Sequence, residues 1–208
     1  MLVKDRMTLN PYTVTPDTPI NDAFAIMKDH NFRRLPVVKQ GKLVGIVTEK
    51  ELQRVTPSDA TTLSVFELNY LLSKMTVKDA MTKDPITIED SQQLEEAALL
   101  MRKNDFGALP VMRDKRLVGI ITETDIFDAF IDMLGARYTG ARLCLHVPNE
   151  PGVAADVFTI ISKYEVNVQH LVLNNTRNGA ELIFKLDTDD AASIKRALSA
   201  KGYKVVEE

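Results

Sequence analysis

Two short stretches place a hydroxyl and a carboxylate three residues apart, just where a buried strand would give way to a helix. They are Thr122 and Asp125 in the run 117–125 (LVGIITETD), and Thr48 and Glu51 in the run 43–51 (LVGIVTEKE). Each pair admits two kinds of chemistry. In one, the threonine is the N-cap and the acid reaches back to free N–H groups, the reciprocal arrangement of a capping box. In the other, the carboxylate accepts hydrogen bonds from ribose hydroxyls, while first-turn amides and the helix dipole favour a phosphate. Glu51 has the length a capping box favours, and Asp125 is one methylene shorter. Capping therefore accounts fully for the first pair and less well for the second.

The two runs belong to a longer duplication. Residues 3–52 align without a gap on residues 77–126, and 19 of the 50 aligned positions are identical. Val3-Lys4-Asp5 recurs as Val77-Lys78-Asp79, Met7-Thr8 as Met81-Thr82, and Leu35-Pro36-Val37 as Leu109-Pro110-Val111. A repeat this strong organises the chain. Within one copy, Tyr12–Val14 reads as a short strand and Thr15-Pro16-Asp17 as a turn. Thr18-Pro19 supplies an N-cap and a first-turn proline. Ile20, Ala23, Phe24 and Met27 then follow at helical spacing. Leu35–Val38 and Leu43–Val47 are strands joined by a tight turn at Gln40-Gly41, and Glu51-Leu52 begin a second helix. One such unit exposes an apolar face it cannot bury alone, so two units packed sheet to sheet are expected. Between the copies, residues 57–75 read as a linker. It holds an amphipathic helix over 62–74 that carries Leu63, Phe66, Tyr70 and Leu71 on one face.

The pattern changes after Phe130, with Gly135 and Gly140 at the junction. Arg142–Val147 alternates as a strand and Asn149–Gly152 is a turn. Val153–Tyr164 is helical, Val166–Leu173 a strand, Asn174–Gly179 a hairpin turn and Ala180–Leu186 its partner. Ala191–Lys201 is helical and Tyr203–Val206 closes the chain as a strand. This order, βαββαβ, is ferredoxin-like.

Bulk properties narrow the function. The 208 residues are 45% hydrophobic and 26% charged, ordinary for a folded globular chain. A net charge of −3, from 26 basic and 29 acidic residues, argues against a general nucleic-acid binder. One cysteine, Cys144, leaves no disulfide framework and no cysteine-rich zinc site. The first residues lack the apolar core of a signal peptide, and no apolar run approaches the roughly 20 residues of a membrane span. The expected compartment is the cytoplasm, with no nucleic acid and no membrane as partner. Cys144 and His146 share one side of a strand, but without further ligands at diagnostic spacing a buried or edge position is the better reading. No nucleophile–base pair, P-loop or dinucleotide glycine motif is present, so no catalytic residue and no metal site is expected.

The duplicated unit, with Met-Thr near its start, Leu-Pro-Val on one strand and Gly-Ile-hydrophobic-Thr-x-x-acid at its end, resembles a pair of CBS domains (a Bateman module). The region 141–208, with Asn149-Glu150-Pro151-Gly152-Val153 and Tyr164-Glu165-Val166-Asn167-Val168, resembles an ACT domain. The resemblance implies an α+β chain. Its parts would be CBS repeats at 1–56 and 76–134, packed as a pseudo-symmetric pair, the linker at 57–75, and a ferredoxin-like ACT domain at 141–208. It also implies a non-catalytic regulatory protein whose ligand is an adenosine compound (AMP, ADP, ATP or S-adenosylmethionine), with no cofactor required.

Carried over from the family, the better site combines Thr18, Ala23, Arg33, Arg34, Thr122 and Asp125. The adjacent arginines are suited to phosphate oxygens or are simply a solvated basic pair. A weaker second site uses Thr48, Glu51, Gln92, Ala97, Gly107 and Ala108. The ACT domain would dimerise the chain, bind an amino acid at Asn149, Pro151, Gly152 and Val153, or carry a signal to a protein partner. The alternative is a dimeric interaction scaffold with vestigial ligand sites.

Overall fold

A computed structural model describes residues 1–55 and 74–206. Apart from Lys74, the expected linker helix lies outside them. The chain divides into two units, Met1–Ile126 and Phe127–Glu208.

In the first unit each repeat contributes two long strands and a helix on either side of them. The first has α1 (Ile20–Asp29), β2 (Arg34–Lys39), β3 (Lys42–Thr48) and α2 (Glu49–Val55). The second has β5 (Ile88–Glu89), α3 (Leu94–Asn104), β6 (Ala108–Arg113), β7 (Arg116–Thr122) and α4 (Glu123–Met133), within which the unit boundary falls. The expected strand at Tyr12–Val14 is reduced to a single bridge between Val14 and Val37. Alternation within the strands and helical spacing in α1 put Ile20, Ala23, Met27, Leu35, Val37, Val47 and Leu52 in one core. Val77, which opens the second copy, is buried in that same core.

Packing sheet to sheet is only part of how the copies join, because they also exchange edge strands. β1 (Thr8–Leu9) pairs with β7 of the other repeat, and β4 (Thr82–Lys83) pairs with β3. The sheets are thus β1-β7-β6-β5 and β2-β3-β4. The helix starts are exchanged as well. The amide of Ile20 donates to the Met75 carbonyl (3.2 Å) and that of Leu94 to the Met1 carbonyl (3.0 Å). This corrects the expectation for Thr18. It does not cap α1, whose N-cap position is Pro19. Its hydroxyl instead accepts the Thr15 amide at 3.0 Å and closes the preceding turn.

The second unit has strand order β11-β8-β10-β9, built from β8 (Arg142–Val147), β9 (Val168–Thr176), β10 (Gly179–Leu186) and β11 (Lys204–Val206). With α5 (Val153–Ser162) and α6 (Ala192–Ala200) this is the βαββαβ arrangement. Leu143, Leu145, Leu182 and Phe184 meet Val157, Ile161, Ile194 and Leu198 in its core.

Gly45 and Gly119 make the exchange sterically feasible, each next to the residue of its own strand (Val44 and Val118) that the register shift leaves unpaired. A Cβ on Gly119 would lie 2.5 Å from Met7 Sδ and 3.0 Å from the Thr8 carbonyl oxygen, and one on Gly45 would meet Met81 and Thr82 in the same way. The methionine can move, but the backbone oxygen cannot without loosening β1. Gly119→Ala is therefore expected to lower stability by about 1–3 kcal/mol. Urea unfolding checks this, and a variant as stable as the parent would show that β1 is not held closely.

Candidate functional site

A cleft of about 520 Å³ opens in the first unit between residues of both repeats. One wall carries Phe32, Arg33 and Arg34, the approach to and start of β2. The opposite wall carries Gly107, the end of β7 at Thr122, and Glu123 and Thr124 of α4. The exchanged segment 8–12 lines a third side.

Both hydroxyl–carboxylate pairs form capping boxes. In the first repeat Glu51 Oε2 accepts the Thr48 amide (2.8 Å) and hydroxyl (2.9 Å), and the Glu51 amide donates to Thr48 Oγ1 (3.2 Å). In the second, Asp125 Oδ2 accepts the Thr122 amide and hydroxyl, both at 2.7 Å, and the return bond is 3.4 Å. Asp125 is therefore long enough to cap, and what its missing methylene changes is the other oxygen. Glu51 Oε1 accepts the hydroxyl of Thr82 from the exchanged strand. Among the described residues Thr8, the counterpart of Thr82, makes no such bond, and Asp125 Oδ1 has no donor.

Arg33, Arg34 and Thr122 line the cleft, and Asp125 is tied to it through Thr122. Thr18 lies in its turn, and Ala23 is fully buried in the first core. Of the weaker set, Gly107 lies against the guanidinium of Arg34 and lines this same cleft. Ala97 and Ala108 are buried. Gln92 accepts the Glu89 amide and donates to Glu96. Burial is the main influence on Arg34 and lowers its pKa, while Glu123 pulls it upward and Arg33 lowers it further. A half-desolvated guanidinium beside a second one is suited to an anion.

Sequence reasoning missed Glu123 and an aromatic cluster. Tyr12 and Phe32 line the cleft with ring centroids 5.5 Å apart, and His30 packs against both, at 4.2 and 5.4 Å. Such faces can stack a planar base. The repeat could not signal them, because Tyr12 and His30 become Ile86 and Asn104 in the second copy.

In the second unit, Gly152 is the N-cap residue of α5 with φ of 92°, and no side chain caps that helix. Asn149 and Pro151 are exposed beside it and Val153 starts the helix. On the sheet, Cys144 Sγ donates to Glu181 Oε1 at 3.4 Å, and His146 Nε2 lies 3.9 Å from the same oxygen. No cluster of metal-ligating side chains occurs among the described residues.

Comparison with known proteins identifies the chain. The CBS domain model matches residues 3–57 and 77–132. The chain belongs to the CBS domain family. The ACT domain model matches residues 143–202 of the same chain. A CBS domain-containing protein of Dictyostelium discoideum is 35% identical over 136 residues, covering 64% of this chain and 94% of that protein. An inosine-5'-monophosphate dehydrogenase of Thermoplasma acidophilum is 35% identical over 64% of this chain, but the match spans only 25% of the dehydrogenase.

Among solved structures, the Vibrio cholerae protein described as an acetoin utilization protein (AcuB) is 30% identical with a TM-score of 0.55, covering 66% of this chain and 95% of its own. CBSX2, solved in complex with AMP, is 30% identical with a TM-score of 0.54 and covers 63% of this chain and 97% of its own. The CBS domain pair of protein MJ0100, solved with 5'-methylthioadenosine and S-adenosyl-L-methionine, is 31% identical with a TM-score of 0.52 and covers 66% and 98%. No helix of the described residues is long and apolar enough to cross a membrane.

The difference between Thr82 and Thr8 is directly measurable. Thr82→Val keeps a β-branched side chain but strips Glu51 of a donor, so it is expected to cost about 1 kcal/mol, whereas Thr8→Val should change stability by less than about 0.5 kcal/mol. Paired urea titrations decide it, and equal losses would contradict the asymmetry.

Proposed function

We propose that this CBS–ACT chain is a non-catalytic regulatory protein that senses an adenosine-containing ligand, AMP, ADP, ATP or S-adenosylmethionine, in the cleft of its CBS pair. The carrying observation is the open carboxylate oxygen of Asp125, tied through Thr122 to a cleft that also holds Arg33 and Arg34. Asp125 would take a ribose hydroxyl where Glu51 takes Thr82. The arginines would take a phosphate, and Tyr12 with Phe32 would offer a face to the base. The AMP, methylthioadenosine and S-adenosylmethionine complexes of similar CBS proteins support this ligand class.

In this reading Thr18 and Ala23 act at one remove, by holding the turn and α1 behind the cleft. The second set (Thr48, Glu51, Gln92, Ala97, Gly107 and Ala108) is weak, since Glu51 is already satisfied. The ACT domain dimerises the chain or takes an amino acid at Asn149–Val153, and the readout is an unidentified protein partner in the cytoplasm. Likeness to AcuB supports a place in acetoin or related carbon metabolism.

A second reading, a dimeric scaffold, is favoured by one feature. Phe127, Phe130 and Leu134 recur at helical spacing along and just beyond α4, and all are exposed. Thermal melting separates the two readings. At 100 times its dissociation constant a ligand stabilises by about 2.7 kcal/mol. AMP, ATP or S-adenosylmethionine is expected to raise the Tm of the parent and of Glu51→Ala, but not of Asp125→Ala. No shift with any adenosine compound would leave the scaffold reading, and equal loss in both variants would remove the special role of Asp125.

A further inference from the structure

Arg34 and Glu123 come from different repeats and converge on one residue. A Cβ on Gly107 would lie 2.8 Å from both terminal nitrogens of Arg34 and 3.1 Å from a carboxylate oxygen of Glu123, so the two charges are at most about 6 Å apart. The Glu123 amide donates to the Gly107 carbonyl at 3.2 Å, which anchors the start of α4 beside that glycine. Among the residues that line the cleft, the charged ones are Arg33, Arg34 and Glu123. An anion entering therefore meets two guanidiniums, one of them already facing a carboxylate that repels the newcomer.

We propose that Glu123 is an internal counter-ion that stands in for a ligand phosphate at Arg34 and sets how much negative charge the cleft accepts. The proposal deepens the ligand reading above and rests on it for the identity of the cleft. A monoanionic or zwitterionic ligand leaves the Arg34–Glu123 attraction largely in place. A polyphosphate must displace Glu123 from Arg34, and like charges brought together in a cleft weaken binding. Displacement would also release an attraction that spans the two repeats, so the ligand's charge would be felt by both. Nothing in the repeat pattern calls for this, because position 34 is Arg in one copy and its counterpart, Ala108, is uncharged.

The test is calorimetric titration of the full chain with inorganic pyrophosphate, and separately with uncharged adenosine. Glu123→Gln is expected to bind pyrophosphate about tenfold tighter than the parent, a gain larger than any change for adenosine. Glu123→Asp, which keeps the charge, should stay close to the parent and controls for disturbance of the helix start. Arg34→Gln combined with Glu123→Gln should erase the gain. Equal pyrophosphate binding by parent and Glu123→Gln, including none by either, would overturn the proposal, as would a gain that survives loss of Arg34. Adenosine reports separately on the nucleoside reading. A chain that ignores adenosine yet gains pyrophosphate affinity in Glu123→Gln keeps the counter-ion and loses the nucleoside.

Discussion

The reciprocal exchange of backbone between the two repeats is the interaction on which the rest of the first unit depends. Each repeat leaves an edge of its sheet and the first amides of its helix unpaired, and buried backbone groups of that kind must find partners. The other repeat supplies them. Thr8–Leu9 and Thr82–Lys83 complete the opposite sheets, and the carbonyls of Met1 and Met75 receive the amides of Leu94 and Ile20. Side-chain caps are dispensable at α1 and α3 for this reason. The exchange works only because Gly45 and Gly119 carry no Cβ where the incoming methionine and carbonyl lie. It also brings residues 8–12 onto the cleft, so the candidate site is a product of the exchange and not of either repeat alone.

The same exchange makes a small chemical difference decisive. Thr82 and Thr8 arrive at equivalent places beside the two capping boxes. Opposite Thr82 stands a glutamate whose second oxygen reaches the hydroxyl. Opposite Thr8 stands an aspartate, and one missing methylene leaves both groups without that bond. A carboxylate oxygen with no donor among the described residues, tied through Thr122 to a cleft that holds two guanidiniums, is chemically a different object from one already satisfied. Pseudo-symmetry in the backbone thus coexists with asymmetry in what the two halves can hold.

Much of this was legible in the sequence because it is local or repeated. The duplication, the strand–helix alternation and the βαββαβ order each leave a period or a turn signal, and Arg142–Val147 emerges with its expected limits. The exchange was not legible. Two-residue strands such as Thr8–Leu9 have no period of their own, and the partner of Thr8–Leu9 lies more than a hundred residues away. Thr18 carries the residue type of a cap but not its role, since Met75 already satisfies Ile20. The capping competence of Asp125 was underestimated because side-chain length was weighed without the backbone geometry that brings Thr122 to it. Glu123 was passed over for a different reason. It repeats as Glu49, which reads as an ordinary first-turn acid, and only the reach of Arg34 across to Gly107 gives it a partner.

These constraints also limit how a ligand could act at a distance. Coupling requires that binding favour one of two arrangements energetically. Repeats tied by exchanged strands and exchanged helix starts cannot part without breaking several backbone hydrogen bonds at once, so a wide hinge opening is unfavourable. Smaller motions remain, such as a rotation of one sheet on the other or a shift of α4, the helix that begins at Glu123 and leads out of the first unit. Shifts of about 1–2 Å of that kind suffice where a helix meets an interface. α4 starts at the cleft wall, and the exposed Phe127 and Phe130 lie further along the same helix.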